Sequence, residues 1–333
     1  MKILVTGGLG YIGSHTSVEL LNSGYEIVII DNLSNSKLEV KDKIKRITNK
    51  EFKTYIGDVQ DKELLNEIFK KERIEAVIHF AGLKAVGESV EKPLMYYKNN
   101  LDSTLILCEV MNEYNVKKLV FSSSATVYGM QKILPINEEA SLSTTNPYGS
   151  TKLFIEYILD DLYTSDNEWS IVKLRYFNPV GAHSSGLIGE DPNGIPNNLM
   201  PYVSKVANKE LPFLNVFGND YETKDGTGVR DYIHVVDLSL GHLKALEYID
   251  KGNKGSIAIN LGTGNGYSVL DIVKAYEKEN NIEVPYKIAP RRDGDIGECY
   301  ADPKKAKELL NWEAQLNLND MVKSAHNFII NNK

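Results

Sequence analysis

Tyr148 and Lys152 place a phenol and an ammonium four residues apart, on one face of any helix that carries them. Such a pair can take the proton of a secondary alcohol while a hydride leaves the same carbon. A free tyrosine titrates near about 10 and is a poor base at neutral pH. A neighbouring lysine ammonium and the positive ring of an oxidised nicotinamide both favour the phenolate. Bringing it to about 7 takes about 4 kcal/mol of differential stabilisation. Ser124, at the end of the run Phe121-Ser-Ser-Ser124, could donate to or relay from the same oxygen. The spacing alone is not distinctive, since Tyr114/Lys118 and Tyr300/Lys304 share it. The former straddles the start of a strand and Pro303 interrupts the latter, whereas Tyr148 follows Pro147 and opens an amphipathic stretch. A packed aromatic beside a surface lysine is the bland alternative.

A hydride acceptor is implied at the other end of the chain. An apolar run at 3–5 leads into Gly7, Gly8, Gly10 and Gly13, and a helix-like run at 14–21 follows. The spacing satisfies both Gly-x-Gly-x-x-Gly and Gly-x-x-Gly-x-x-Gly. Glycines there allow a tight turn and close backbone approach to a pyrophosphate, with the helix N-terminus facing the anion. Asp31 ends the next strand-like run, 25–31, where a carboxylate accepts from ribose hydroxyls and repels a 2′-phosphate. Residues 32–36 hold no Arg or Lys, so the cofactor reads as NAD rather than NADP. The alternative is an Asp31 that caps its own turn.

These groups need a scaffold that brings loop ends together. Short β-rich runs at 3–5, 27–30, 52–56, 76–80, 118–122 and 171–175 alternate with helical stretches such as 62–71 and 101–114. That alternation predicts an α/β fold with a doubly wound, Rossmann-type parallel sheet. Ligands then sit at the carboxyl ends of the strands, where Gly7–Gly13, Asp31, Asp58, Ala81, Lys84, Ser122–Ser124 and Asn178 fall. From about 181 to 230 the chain is rich in Gly, Pro, Asn and Asp, with a short regular piece at 199–207. We read residues 1–180 as the NAD-binding domain, with a returning segment near 233–262. Residues 181–333 read as a smaller, mixed α/β domain for the substrate.

At 333 residues the chain holds two domains' worth of core. A net charge of −7 argues against nucleic acid or an anionic membrane as partner. No apolar run approaches the ~18–20 residues that span a bilayer. The first strand starts at residue 2, which leaves no room for a signal peptide, and two cysteines, Cys108 and Cys299, make no disulfide framework. A reduced cytoplasm is expected. The six histidines show no metal-ligand spacing, so no metal is expected. Only Arg46, Arg73, Arg175, Arg230, Arg291 and Arg292 are arginines among 38 basic residues. In a chain so biased to lysine, an arginine points to a bidentate contact that lysine cannot make, although Arg46 and Arg73 also read as solvated charges.

The loop Thr6-Gly-Gly-Leu-Gly-Tyr-Ile-Gly13, the Ser122–Ser124 strand end and the Tyr148/Lys152 pair resemble the extended short-chain dehydrogenase/reductase family. The blocks 80–89, 174–181, 194–201, 225–232 and 289–295 are similar to its UDP-sugar 4-epimerase branch, over residues 1 to about 315. The resemblance implies interconversion of UDP-glucose and UDP-galactose through a 4-keto sugar, with hydride passing transiently to a tightly held NAD. It implies Tyr148, Lys152 and Ser124 as catalytic residues. Tyr11, Ile12, Asp31, Asn32, Asn35, Ser36, Asp58, Val59, Phe80, Ala81, Lys84, Asn99, Ser122 and Phe177 would line the NAD site with the glycines. Ser124, Asn178, Asn198, Leu199, Asn215, Phe217 and Cys299 would meet the UDP-hexose. Arg230 and Arg292 would anchor pyrophosphate and uridine, and Asp295 the ribose hydroxyls. Arg291, Asn197 and Asp293 read equally as neighbours. Members are commonly homodimers through two helices, here 95–114 and 153–166.

Cys299 departs from members confined to plain hexoses, which usually carry a large aromatic there. A small residue resembles members that also accept 2-acetamido sugars, which implies activity on UDP-N-acetylglucosamine and UDP-N-acetylgalactosamine. A one-residue shift would put Tyr300 in the pocket instead, and a small buried filler is the bland reading. Two rivals remain. A sugar-nucleotide 4,6-dehydratase needs an acid–base pair after the strand-five hydroxyl, but Ala125 and Thr126 follow Ser124, with no carboxylate until Glu138. A non-catalytic NAD sensor needs neither the Tyr/Lys pair nor the UDP anchors.

Overall fold

Valine, isoleucine and leucine fill the runs that become strands, because a parallel strand is covered on both faces. In chain order the strands are β1 (Lys2–Thr6), β2 (Glu26–Asp31), β3 (Lys53–Ile56), β4 (Ala76–His79), β5 (Lys118–Ser124), β6 (Ser170–Tyr176), β7 (Asn178–Val180), β8 (Leu214–Phe217), β9 (Val229–His234), β10 (Gly255–Leu261), β11 (Gly266–Ser268), β12 (Tyr286–Ala289) and β13 (Glu298–Cys299). The helices are α1 (Tyr11–Asn22), α2 (Glu39–Thr48), α3 (Lys62–Glu72), α4 (Val86–Glu91), α5 (Pro93–Glu113), α6 (Pro147–Ser165), α7 (Leu199–Ala207), α8 (Val235–Asp250), α9 (Val269–Asn280), α10 (Lys304–Leu310) and α11 (Leu318–Asn331). This computed structural model describes residues 1–192, 196, 198–292 and 295–332.

Among the described residues, seven strands form one parallel sheet in the order β10-β6-β5-β4-β1-β2-β3. The winding reverses between β1 and β4, and the crevice for a ligand opens at that switch point. Two apolar layers pack on the sheet's faces. One holds Leu20, Leu238 and Leu246, the other Leu107, Leu159 and Trp169. β10 adds to the edge residue for residue beside β6, so a segment from after position 230 completes the first sheet.

The second region is more regular than its composition suggests. β7, β9, β11 and β13 form a small mixed sheet, and β8 pairs with β12. Strands of two to six residues between Gly- and Asp-rich turns carry too few alternations to register as a period. α5 starts eight residues before the predicted 101, because Pro93 at its first position donates no N–H and fits a helix start. β5 runs to Ser124, two residues past the predicted 122, paired through Tyr176 of β6. No helix among the described residues is long and apolar enough to cross a membrane.

Candidate active site

The turn after β1 is built around missing side chains. Gly7 has φ +67°, and a Cβ at Gly13 would lie 2.2 Å from the Gly7 carbonyl oxygen. Only glycine lets α1 approach the loop this closely. α1 has no side-chain cap, so the N–H groups of Tyr11, Ile12 and Gly13 are left for an anion. They face a cleft of about 900 Å³ at the strand ends. Gly7, Gly10, Tyr11, Ile12, Gly13, Asp31, Asn32, Asn35, Ser36, Asp58, Val59, Phe80, Ala81, Lys84, Asn99, Ser122, Tyr148 and Lys152 all line it.

Asp31 does more than either reading assigned it. Its carboxylate accepts from Leu9 N–H at 3.0 Å, Leu33 N–H at 2.9 Å and Ser36 Oγ–H at 2.7 Å, so it caps its own turn. Two oxygens offer about four acceptor sites, which leaves room for a ribose hydroxyl as well.

Asn146 caps α6 by accepting from Gly149 N–H at 2.9 Å, and Pro147 follows at the first helical position. This start puts Tyr148 in the first turn and Lys152 one turn on, as their spacing dictates. Lys152 Nζ donates to the Ser122 carbonyl at 2.7 Å and sits 4.8 Å from the Phe121 ring centre. The Tyr148 hydroxyl lies near Ser124, whose Oγ accepts from Thr126 Oγ1 at 3.0 Å. Burial pushes the Tyr148 phenol above its ordinary value, and Ser124 opposes that rise. Burial pulls Lys152 down to about 7, against the pull of Glu156. Burial therefore works against the ammonium here, and Glu156 works for it.

On the substrate side, Arg230 of β9 stands in register with Cys299 of β13, and its Nη1 donates to the Val229 carbonyl at 2.8 Å. Cys299 is buried with Val127, Leu153 and Phe177, beside the turn that follows Ser124. The neighbouring Tyr300 instead lies against Gly266. Arg292 forks onto Asp295 at 2.8 and 3.2 Å, with its guanidinium 4.9 Å from the Phe217 ring centre. Asn215 lies two residues back on the same strand.

Asn198 lines the main cleft. Ser124, Phe177, Asn178, Leu199, Asn215, Phe217, Arg230, Arg292, Asp295 and Cys299 do not. Phe177, expected at NAD, packs in the Cys299 cluster because β6 ends at Tyr176 and the chain turns into β7. Asn197 and Asp293 lie outside the described residues, as do Gly194 and Ile195 of the 194–201 block. Arg291 stays on its own surface, donating to the Asp220 carboxylate at 2.7 Å.

Sequence reasoning passed over Tyr176 and Glu190, which also line the cleft. Tyr176 is bonded to His242, and its place between Arg175 and Phe177 in the 174–181 block was the available signal.

The profile of the family described as GDP-mannose 4,6 dehydratase matches residues 4–325. The UDP-glucose 4-epimerase of Bacillus subtilis (strain 168) is 64% identical over 321 residues, 96% of this chain and 94% of its own. The chain belongs to the UDP-glucose 4-epimerase family. The crystal structure of the Bifidobacterium longum UDP-glucose 4-epimerase with NAD+ and UDP is 56% identical, with a TM-score of 0.97 over 100% of this chain and 99% of that one. The Stenotrophomonas maltophila UDP-glucose-4-epimerase, with NAD and formylated UDP-arabinopyranose, is 47% identical, with a TM-score of 0.97 over 98% and 97%. The dehydratase description covers the shared fold, but the residues here suit epimerases. Ser124 runs into the turn Ala125–Tyr128, which holds no carboxylate, and Glu138 is spent on the Asn260 N–H at 2.7 Å.

Proposed function

We propose that this chain interconverts UDP-glucose and UDP-galactose, by taking the proton of the sugar 4′-hydroxyl and a hydride from its 4′-carbon, and then returning the hydride to the other face of that carbon and the proton to its oxygen. The observation that carries this is the placing of Tyr148 and Lys152, one helical turn apart, on the wall of the cleft formed by the glycine turn and Asp31, with Ser124 at the end of the neighbouring strand. The open α1 terminus and the glycines that exclude side chains fit a dinucleotide pyrophosphate, and Asp31 fits its ribose. NAD held there supplies a reversible hydride acceptor. Tyr148 removes the 4′-hydroxyl proton and later gives it back, Ser124 relays, and Lys152 favours the phenolate. Arg230 and Arg292 fix the UDP while the 4-keto sugar turns, with Asn178, Asn198 and Asp295 alongside. Residues 1–180 with 233–262 serve NAD, and 181–333 serve the nucleotide sugar. The test is incubation with UDP-galactose and no added NAD. UDP-glucose forms without stoichiometric NADH, whereas a stable 4-keto product would point to a dehydratase.

The substrate range extends to UDP-N-acetylglucosamine and UDP-N-acetylgalactosamine, because the small Cys299 stands where members confined to plain hexoses carry a large aromatic, beside the turn that follows Ser124. Cys299→Tyr is expected to cut N-acetyl turnover at least about tenfold, a pocket effect of about 1–3 kcal/mol, while UDP-galactose turnover stays within about threefold. Equal loss on both substrates would remove the specificity role.

The chain works as a homodimer. Leu94 and Leu105 of α5 and Phe154 and Tyr157 of α6 are exposed on adjacent helices, with Tyr97 stacked on Phe154 at 6.0 Å. Such a contiguous apolar face marks an interface. Light scattering should give twice the chain mass, and Phe154→Glu the single mass; a wild-type monomer at micromolar concentration sinks the dimer. The two unpaired cysteines favour a reducing cytoplasm, and recovery from a membrane or secreted fraction would count against it.

A further inference from the structure

We propose that Glu190 is a positioning residue that couples nucleotide-sugar binding to NAD retention, an inference that rests on the function above. Residues 187–191 run along the cleft from the second region. They are firmly seated, because Gly189 bridges to Ala182 and a Cβ there would lie 2.5 Å from the Phe328 ring. Glu190 follows directly, with its side chain 8% exposed and lining the cleft.

Its Oε1 accepts from Asn198 Nδ2 at 2.6 Å and from Lys84 Nζ at 3.3 Å. Lys84 belongs to the loop after β4 on the cofactor side, and Asn198 precedes α7 on the substrate side. One buried carboxylate oxygen therefore joins a residue from each half. Its partner Oε2 is buried and, among the described residues, has no hydrogen-bond partner. A buried carboxylate oxygen left unpaired is costly, so it calls for a donor. A carboxylate only accepts, and a diphosphate has no proton to give at neutral pH. The donor that fits is a sugar hydroxyl of a bound nucleotide. The Lys84 ammonium also cancels the repulsion that a bare carboxylate would exert on nearby phosphates. The adjacent Asp191 differs, since its ion pair with Lys37 is 48% and 51% exposed and contributes little.

A nucleotide that engages Asn198 thus steadies Glu190, and Glu190 steadies Lys84 over NAD. Binding on one side must then strengthen binding on the other. The experiment follows NAD lost from the holoenzyme during dialysis, with and without saturating UDP. In the wild type UDP slows the loss about tenfold, within the usual range of such couplings. In Glu190→Gln and Glu190→Ala the two rates come within about twofold of each other, with an unchanged circular dichroism spectrum. Asp191→Asn keeps the wild-type effect. UDP protection that survives in both Glu190 variants overturns the coupling, as does a wild type that holds both nucleotides without it. A wild type that holds neither overturns the function itself, and the coupling with it.

Discussion

Tyr148→Phe lowers kcat by about 10²–10⁴-fold, the usual share of a positioned acid–base group, while the protein stays folded and keeps its NAD. The substitution removes one oxygen and keeps the ring. The half-buried ring on the cleft wall stays, so packing is largely preserved. What disappears is the hydroxyl near Ser124, at the end of β5 where the glycine cleft opens. Because the proton moves only in the chemical step, kcat and kcat/KM fall together and UDP affinity holds. Steady-state assays with UDP-galactose and chromatographic quantification of retained NAD separate these quantities. Activity above about a tenth of wild type would show that another group takes the proton, and Tyr176, whose hydroxyl bonds to His242 nearby, would be examined next. The burial that raises Tyr148 also makes the reaction favour alkaline conditions until substrate and nicotinamide are both in place. The acid limb of the pH profile therefore reports the phenol in the assembled site.

The cofactor half of the site was legible in the sequence because its signals are local. Gly7, Gly10 and Gly13 are read from their spacing between an apolar run and a helix-like run, and the structure supplies the reason, since a Cβ at Gly13 would lie 2.2 Å from the Gly7 carbonyl oxygen. Tyr148 and Lys152 are one helical turn apart, so their common face follows from geometry once Pro147 and Asn146 start the helix. The substrate half depends on contacts between distant residues. Arg230 meets Cys299 only because β13 returns to pair with β9, and Phe217 meets Arg292 across 75 positions. Glu190 was missed for the same reason. Its partners, Lys84 and Asn198, lie on opposite sides of the chain's middle, and nothing in Gly-Glu-Asp announces a buried carboxylate. Arg175 makes the bidentate contact expected of an arginine in so lysine-rich a chain, here with a buried glutamate.

That contact yields the largest expected stability change. Glu156→Ala is expected to cost about 3–5 kcal/mol of folding free energy, the usual effect of removing one partner from a buried ion pair. Arg175 Nε and Nη2 reach the Glu156 carboxylate at 3.0 and 2.6 Å, and the side chains are 4% and 2% exposed. Ser123 Oγ donates to the same carboxylate at 2.5 Å, and Arg175 also donates to the Tyr128 hydroxyl at 3.0 Å. Removing the glutamate strands a guanidinium in the core between α6 and β6. Replacing both partners by methionine is expected to cost much less, because neither charge is then buried alone. Denaturant titration of the single and double variants measures the difference, and a single variant within about 1 kcal/mol of wild type would sink the argument. The pair also reaches the chemistry. Glu156 lies one turn beyond Lys152 and raises its pKa from below, so Glu156→Gln moves Lys152 further beneath about 7. Lys152 is charged below its pKa and neutral above it. The alkaline fall in activity that Lys152 governs therefore begins at lower pH in Glu156→Gln than in wild type, a shift that a purely structural glutamate would not produce.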